Sequence, residues 1–152
     1  MNEWRAVLNQ QDIHELMEAV VGFHDSCIHS VRYESGCFVD EKRAMNAHVP
    51  PEEFVLHMAF HCQWEARVVE LCFDGVRRFH VVGLEDNYMK DIYDAYLAFH
   101  EGLMPSQHAA SPSVIVWADW ADFDPAHIPD PLTEPGTSYV IATSLKWRIV
   151  KE

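Results

Sequence analysis

A change of hydrophobic period at Gly22 constrains this chain more than any other feature. Before it, Ile13, Leu16, Met17, Val20 and Val21 recur at the i, i+3, i+4, i+7, i+8 spacing of one helical face. After it, apolar residues alternate with a period of two in several separate runs, the pattern of strands that bury one face. A chain patterned this way has to open with a helix and then fold mostly as sheet.

The helix expectation includes its ends. Asp12 is placed to cap the first turn with Glu15 three residues on, and Gly22 is a natural stop. In the first strand pattern Cys27, His29, Val31 and Tyr33 alternate with Ile28, Ser30, Arg32 and Glu34 and run into Ser35-Gly36. An extended piece from Arg43 to Val49 is stopped by Pro50-Pro51. Phe54, Leu56, Met58 and Phe60 then share a face, as do Val69, Leu71 and Phe73. Asp74-Gly75 reads as a tight hairpin, with a return strand through Arg78, Phe79, His80, Val81 and Val82.

Ile92, Ala95, Tyr96 and Phe99 regain helical spacing, which predicts a second helix over 87–100, closed by Gly102 and Pro105. Ser111-Pro112 opens a strand with Val114, Val116 and Ala118. The prolines at 125, 129, 131 and 135 mark a loop over 124–136. In the final strand Ile141, Thr143, Leu145, Trp147 and Ile149 face one way. No β-α-β alternation occurs, which argues against a Rossmann-type nucleotide fold. The expected architecture is one α+β domain over 1–152. Its antiparallel sheet of about seven strands is curved or sandwich-like, with an N-terminal helix and one helix inserted before the last two strands.

Charge narrows the partners. With 24 acidic against 11 basic residues the net charge is -13. Counterion release needs Lys and Arg facing phosphates, so nucleic acid is disfavoured as a partner, whereas a basic protein suits an acidic surface. No apolar run reaches the ~20 residues that span a bilayer. The start, Met1-Asn2-Glu3-Trp4-Arg5, lacks the pattern of a signal peptide, so a cytoplasmic protein without membrane contact is expected. Cys27, Cys37, Cys62 and Cys72 form no Cys-x-x-Cys pair and are expected to be reduced thiols, although Cys27 and Cys37 could approach across a hairpin. Self-association is compatible with all of this.

Catalytic templates are sparse. There is no Gly-x-Ser-x-Gly elbow and no phosphate-cradling glycine loop. Ten histidines are many for 152 residues. The candidates for a divalent metal are His24, Asp25, His29, His57, His61 and His80, although no cofactor is expected. His57 and His61 resemble a zinc pair only on a helix, because strand residues four apart lie about 13 Å from each other. His57 with His80, or His29 with either, could meet across strands. Glu70 beside His57 or His80 would be a candidate general base, and Cys72 has no evident activating base. A second cluster, Asp119, Trp120, Asp122, Phe123 and Asp124 with Trp117 just before it, pairs carboxylates with aromatics in the manner of a partner-binding patch. Asp122 and Asp124 are also placed to cap a turn before Pro125.

The junction itself reads Gly22-Phe23-His24-Asp25-Ser26. Its His-Asp pair leads into a strand, unlike the all-helical phosphohydrolases that carry such a dyad. The structural expectation is that Phe23 anchors in the core and Asp25 accepts backbone N–H groups, with Ser26 assisting and His24 donating to a carbonyl. With Val31-x-Tyr33 and the strands that follow, this run resembles small bacterial β-rich domains of unknown function that carry a Phe-His-Asp-Ser or Phe-His-Asp-Ala turn. Some similar domains are immunity proteins of polymorphic toxin systems. The resemblance implies a β-rich fold and a non-enzymatic protein-binding role, with neutralisation of a basic partner as its specific form. The alternative is a metal-dependent or acid–base enzyme using His24, Asp25 and the sheet histidines.

Overall fold

The first helix forms where the apolar spacing puts it, at Gln10–Ala19 (α1), with Ile13 and Leu16 buried. Its cap differs from the expectation. Asn9, not Asp12, is the N-cap and accepts from the Asp12 N–H (3.0 Å), while the Asp12 carboxylate reaches back to the Leu8 N–H (2.8 Å). Glu15 pairs with Arg5 instead (3.1 Å). The computed structural model describes residues 3–83, 91–104, 113–128 and 136–151. Ser111-Pro112, Pro105 and the prolines at 129, 131 and 135 lie outside the described residues.

The rest is mostly β. The strands are β1 (Arg5–Val7), β2 (Ser26–Glu34), β3 (Phe38–Val39), β4 (Met45–Asn46), β5 (Val55–Cys62), β6 (Arg67–His80), β7 (Tyr96–Glu101), β8 (Ser113–Ala118) and β9 (Tyr139–Lys151). β3 and β4 pair only with each other. The remaining seven form one antiparallel sheet in the order β2-β5-β6-β9-β8-β7, with β1 also on β9. Among the described residues α1 is the single α-helix.

Three expectations are corrected here. Tyr96–Glu101 is a strand, not the end of a helix, while 87–90 lies outside the described residues. Leu97 faces the main core and Tyr96 packs on a second apolar cluster, so both parities of this strand are apolar and imitate helical spacing. Asp74-Gly75 is no hairpin. β6 runs through it, pairing with β9 from Arg67↔Lys151 to His80↔Tyr139, and Gly75 (φ 66°) sits as a kink opposite Thr143. The extended piece at 43–49 contributes only Met45–Asn46, in the separate pair.

The sheet is coiled so strongly that diagonally opposite corners meet. Ser26 at the start of β2 forms an isolated bridge with Ile92, just before β7. The Ile92 N–H donates to Ser26 O (2.7 Å) and the Asp25 N–H to Ile92 O (2.9 Å). Such diagonal contact is the stagger that closing a twisted sheet demands. The main core fills the inside of the curl, where Leu56, Phe60, Leu71, Phe73, Leu145 and Trp147 meet α1. On the outside, Val114, Val116, Ala118, Phe123, Tyr139 and Ile141 form a smaller cluster covered by Leu103, Met104 and Ile128.

Candidate functional site

The junction after α1 ties four parts of the fold together. Phe23 is fully buried, with its ring 4.9 Å from Phe60 and 5.8 Å from Trp117. His24 Nδ1–H donates to Tyr93 O (2.6 Å), and His24 O accepts from Trp64 Nε1 (2.9 Å). Arg67 stacks over Trp64 at 4.2 Å and donates to Ala19 O, holding the β5–β6 connection against the end of α1. Ser26 is buried, its hydroxyl 3.5 Å from both His24 O and Cys62 Sγ. The expectation for Asp25 is corrected. Its main chain does the bonding, with Gln63 N–H donating to Asp25 O (2.9 Å), while its half-exposed carboxylate lies 3.4 Å from His24 Nε2.

This tight passage uses left-handed backbone at Val21 (φ 53°), Gly22 (φ 61°), Phe23 (φ 62°) and Asp25 (φ 54°). Only Gly22 adopts it without steric cost, and a Cβ there would stand 2.7 Å from Asp94 Oδ1. Val21 is β-branched and 53% exposed, so it carries strain with little packing in return. Val21→Gly is expected to raise the unfolding free energy by about 0.5–1 kcal/mol, because relief of left-handed strain outweighs the extra chain entropy of glycine. A denaturation midpoint no higher than that of the parent would show that Val21 is unstrained.

The histidines do not gather at one place. His29 stacks on His61 with centroids 4.0 Å apart, across β2 and β5. His57 lies between Arg32 and Cys72 in the cross-strand register, its Nε2 4.0 Å from Cys72 Sγ. Burial first, then Arg32, pushes the His57 imidazole towards its neutral form, and burial also raises the Cys72 thiol. That is the opposite of an activated thiolate–imidazolium pair. Glu70 is bound to Arg148 rather than aimed at either histidine. His80 pairs with Tyr139 and approaches Thr137 O at 3.4 Å, away from both His57 and His29. Among the described residues no three His, Cys, Asp or Glu side chains are grouped around a possible ion.

The 119–124 cluster divides into structural ties and exposed residues. Trp117 has no exposed surface and Phe123 is buried, which removes both from a protein-contact surface, whereas Trp120 is 58% exposed. Asp119 accepts from Ser138 N–H (3.1 Å) and its own N–H donates to Ser138 O (3.0 Å), joining the end of β8 to the start of β9. Asp124 caps its turn, accepting from Ala126 N–H (3.0 Å) and His127 Nδ1 (2.7 Å), and the His127 bond holds its carboxyl below the usual range. Asp122 is exposed.

No family model, curated protein or solved structure matches the chain.

The surface with the strongest binding character lies elsewhere, in the excursion between β2 and β5. No residue from 35 through 53 is buried. Phe38 (56% exposed), Val39 and Met45 (71% exposed) stand out on the β3–β4 hairpin, and Val39 faces Met45 directly. At its base Tyr33 rests against Phe79 (4.9 Å), both partly exposed. The hairpin is fixed by its turn, not by a core. Asp40 Oδ1 accepts from the N–H groups of Lys42 and Ala44 (both 2.9 Å), and Arg43 takes the left-handed position (φ 65°). The bond from Ala44 leads the effects that lower the Asp40 pKa. In the sequence, the charged run Asp40-Glu41-Lys42-Arg43 between Phe38-Val39 and Met45 was the available sign of this turn.

Proposed function

We propose that this chain is a non-enzymatic protein-binding domain of the immunity type, which covers a basic protein with the β3–β4 hairpin and its base. One observation carries the reading: a preorganised hairpin displays Phe38, Val39 and Met45 to solvent with no residue of its excursion in the core. Exposed apolar side chains paired across strands, as Val39 and Met45 are, mark contact surfaces in soluble proteins. The same stretch of chain carries Glu34, Asp40, Glu41, Glu52 and Glu53 against Lys42 and Arg43, with Glu34 ion-paired to Arg32. The apolar residues would supply affinity, and the carboxylates would steer a cationic partner and set its orientation.

Affinity capture from a cell lysate tests this. The tagged chain is expected to retain a basic protein at low salt and to release it as salt rises. Replacing Val39 and Met45 together by serine should weaken retention tenfold or more while leaving the fold intact, since neither side chain is buried. Recovery of no basic protein at low salt, or equal retention by the double variant, would refute the reading.

A further inference from the structure

β6 departs from regular pairing at one place that no other feature of the chain accounts for. Its register with β9 shifts between Val76↔Ala142 and Arg78↔Ile141, leaving Arg77 as the extra residue of a β-bulge. Consecutive strand residues ordinarily point to opposite faces, and a bulge cancels that alternation. Here Arg77 and Arg78 consequently line the same cavity, of about 290 Å³, whose other walls are Leu103, Met104, Pro125 and Ile128, with Ile141. A second cavity of about 240 Å³ adjoins it, sharing Arg78 and Ile128 and adding Phe123, Tyr139 and Gly136. Gly136 keeps this second space open, because a Cβ there would press on His80 at 3.0 Å.

The electrostatics of the place are unusual for this molecule. In a chain with 24 carboxylates, Arg78 makes no ion pair and no hydrogen bond among the described residues. Asp124, the acidic residue next to the lining Pro125, is already occupied by His127 and the Ala126 N–H. A guanidinium left unpaired beside apolar walls has the chemistry to bind an anionic head attached to an apolar body.

We propose that the β6 bulge builds a binding site for a small apolar monocarboxylate, with the carboxylate on the Arg78 guanidinium and the aliphatic or aryl body between Ile128, Met104, Phe123 and Tyr139. The Arg78 guanidinium sets the preference for an anion, and the volumes restrict the body to a short chain or a single ring. The site meets the base of the hairpin surface at Phe79, which lines the second cavity, but it does not depend on the hairpin's role.

Octanoate is the probe, with octanol and acetate as controls for the charge and the body. Calorimetric titration at 0.15 M salt, where repulsion by the distant carboxylates is largely screened, should show saturable binding of octanoate. Octanol and acetate should each bind at least fivefold more weakly. Arg78→Gln should reduce octanoate affinity about five- to tenfold and leave octanol unaffected, without change in melting temperature, since Arg78 is exposed and makes no ion pair among the described residues. Met104→Glu, which places a carboxylate in the wall, should abolish octanoate binding and serves as an independent second variant. The proposal is overturned if octanoate fails to bind, if octanol binds equally well, or if both variants keep the parent affinity.

Discussion

Phe23→Ala should lower the unfolding free energy by about 3–5 kcal/mol, the range for removing a fully buried aromatic ring. The cost should sit at the upper end because the site cannot collapse. Phe60 and Trp117, 5.2 Å apart, are rigid rings that cannot flow into the space. The backbone around it is pinned from outside as well, with Ala95 N–H on Gly22 O (3.0 Å) and Asp25 N–H on Ile92 O (2.9 Å). A small domain has a total stability of roughly 5–15 kcal/mol, so this one substitution removes a large share. Asp25→Asn is the comparison, expected to cost less than about 0.5 kcal/mol because the carboxylate is half-exposed and the main chain does the bonding. Denaturant melts measure both. A loss below about 1 kcal/mol for Phe23→Ala would show that the ring does not anchor the junction.

Gly75→Ala should be the second most damaging single change, at roughly 2–4 kcal/mol from a strained left-handed φ together with steric overpacking. The added methyl would stand 2.5 Å from Thr143 Oγ1 and 2.7 Å from Thr143 Cβ, directly across the central β6–β9 pair. The two causes separate experimentally. Thr143→Gly in the Gly75→Ala background relieves the clash but not the φ, so it should recover only part of the loss after correction for Thr143→Gly alone. Full recovery would mean that φ at 75 costs nothing, and no recovery would mean that the neighbouring strand yields freely.

Gly75 also shows how the sequence misleads. Asp-Gly between two apolar runs is the standard sign of a hairpin, and the residue does have the positive φ of one. What local pattern cannot report is that β9 lies alongside both runs and holds them in line. The false helix at Ile92, Ala95, Tyr96 and Phe99 has a related cause. A strand covered on both faces loses its polar parity, and the remaining apolar positions fit either period. Where one face is polar the reading succeeds, as in α1 and in the second half of β9, whose Leu145, Trp147 and Ile149 are buried while Lys146 and Arg148 lie over Trp4. In the first half of β9 it fails: Val140 and Ala142 join Leu145 in the main core, Ile141 lies in the outer cluster and Thr143 is exposed, because this half too is apolar on both faces. The Phe-His-Asp-Ser run was visible as a junction, and the burial of Phe23 followed from its chemistry. The bonding by the Asp25 main chain and the bulge at Arg77 were not legible, because each depends on long-range pairing. The same holds for the histidines, whose neighbours are set by register and not by spacing along the chain.

The position of β9 has a consequence for synthesis. Among the described strands, β9 alone joins β6 on one side to both β8 and β1 on the other. Without it the strand pairing left between the β2-β5-β6 segment and the β7–β8 pair, among the described residues, is the Ser26–Ile92 bridge, and β1 has no strand partner. A ribosome delivers β9 after every strand it must join. The earlier strands therefore leave the exit tunnel with unpaired edges, which are the surfaces on which chains aggregate or recruit chaperones. The chain stays exposed to both until residues 139–151 emerge and convert two incomplete pieces into one sheet.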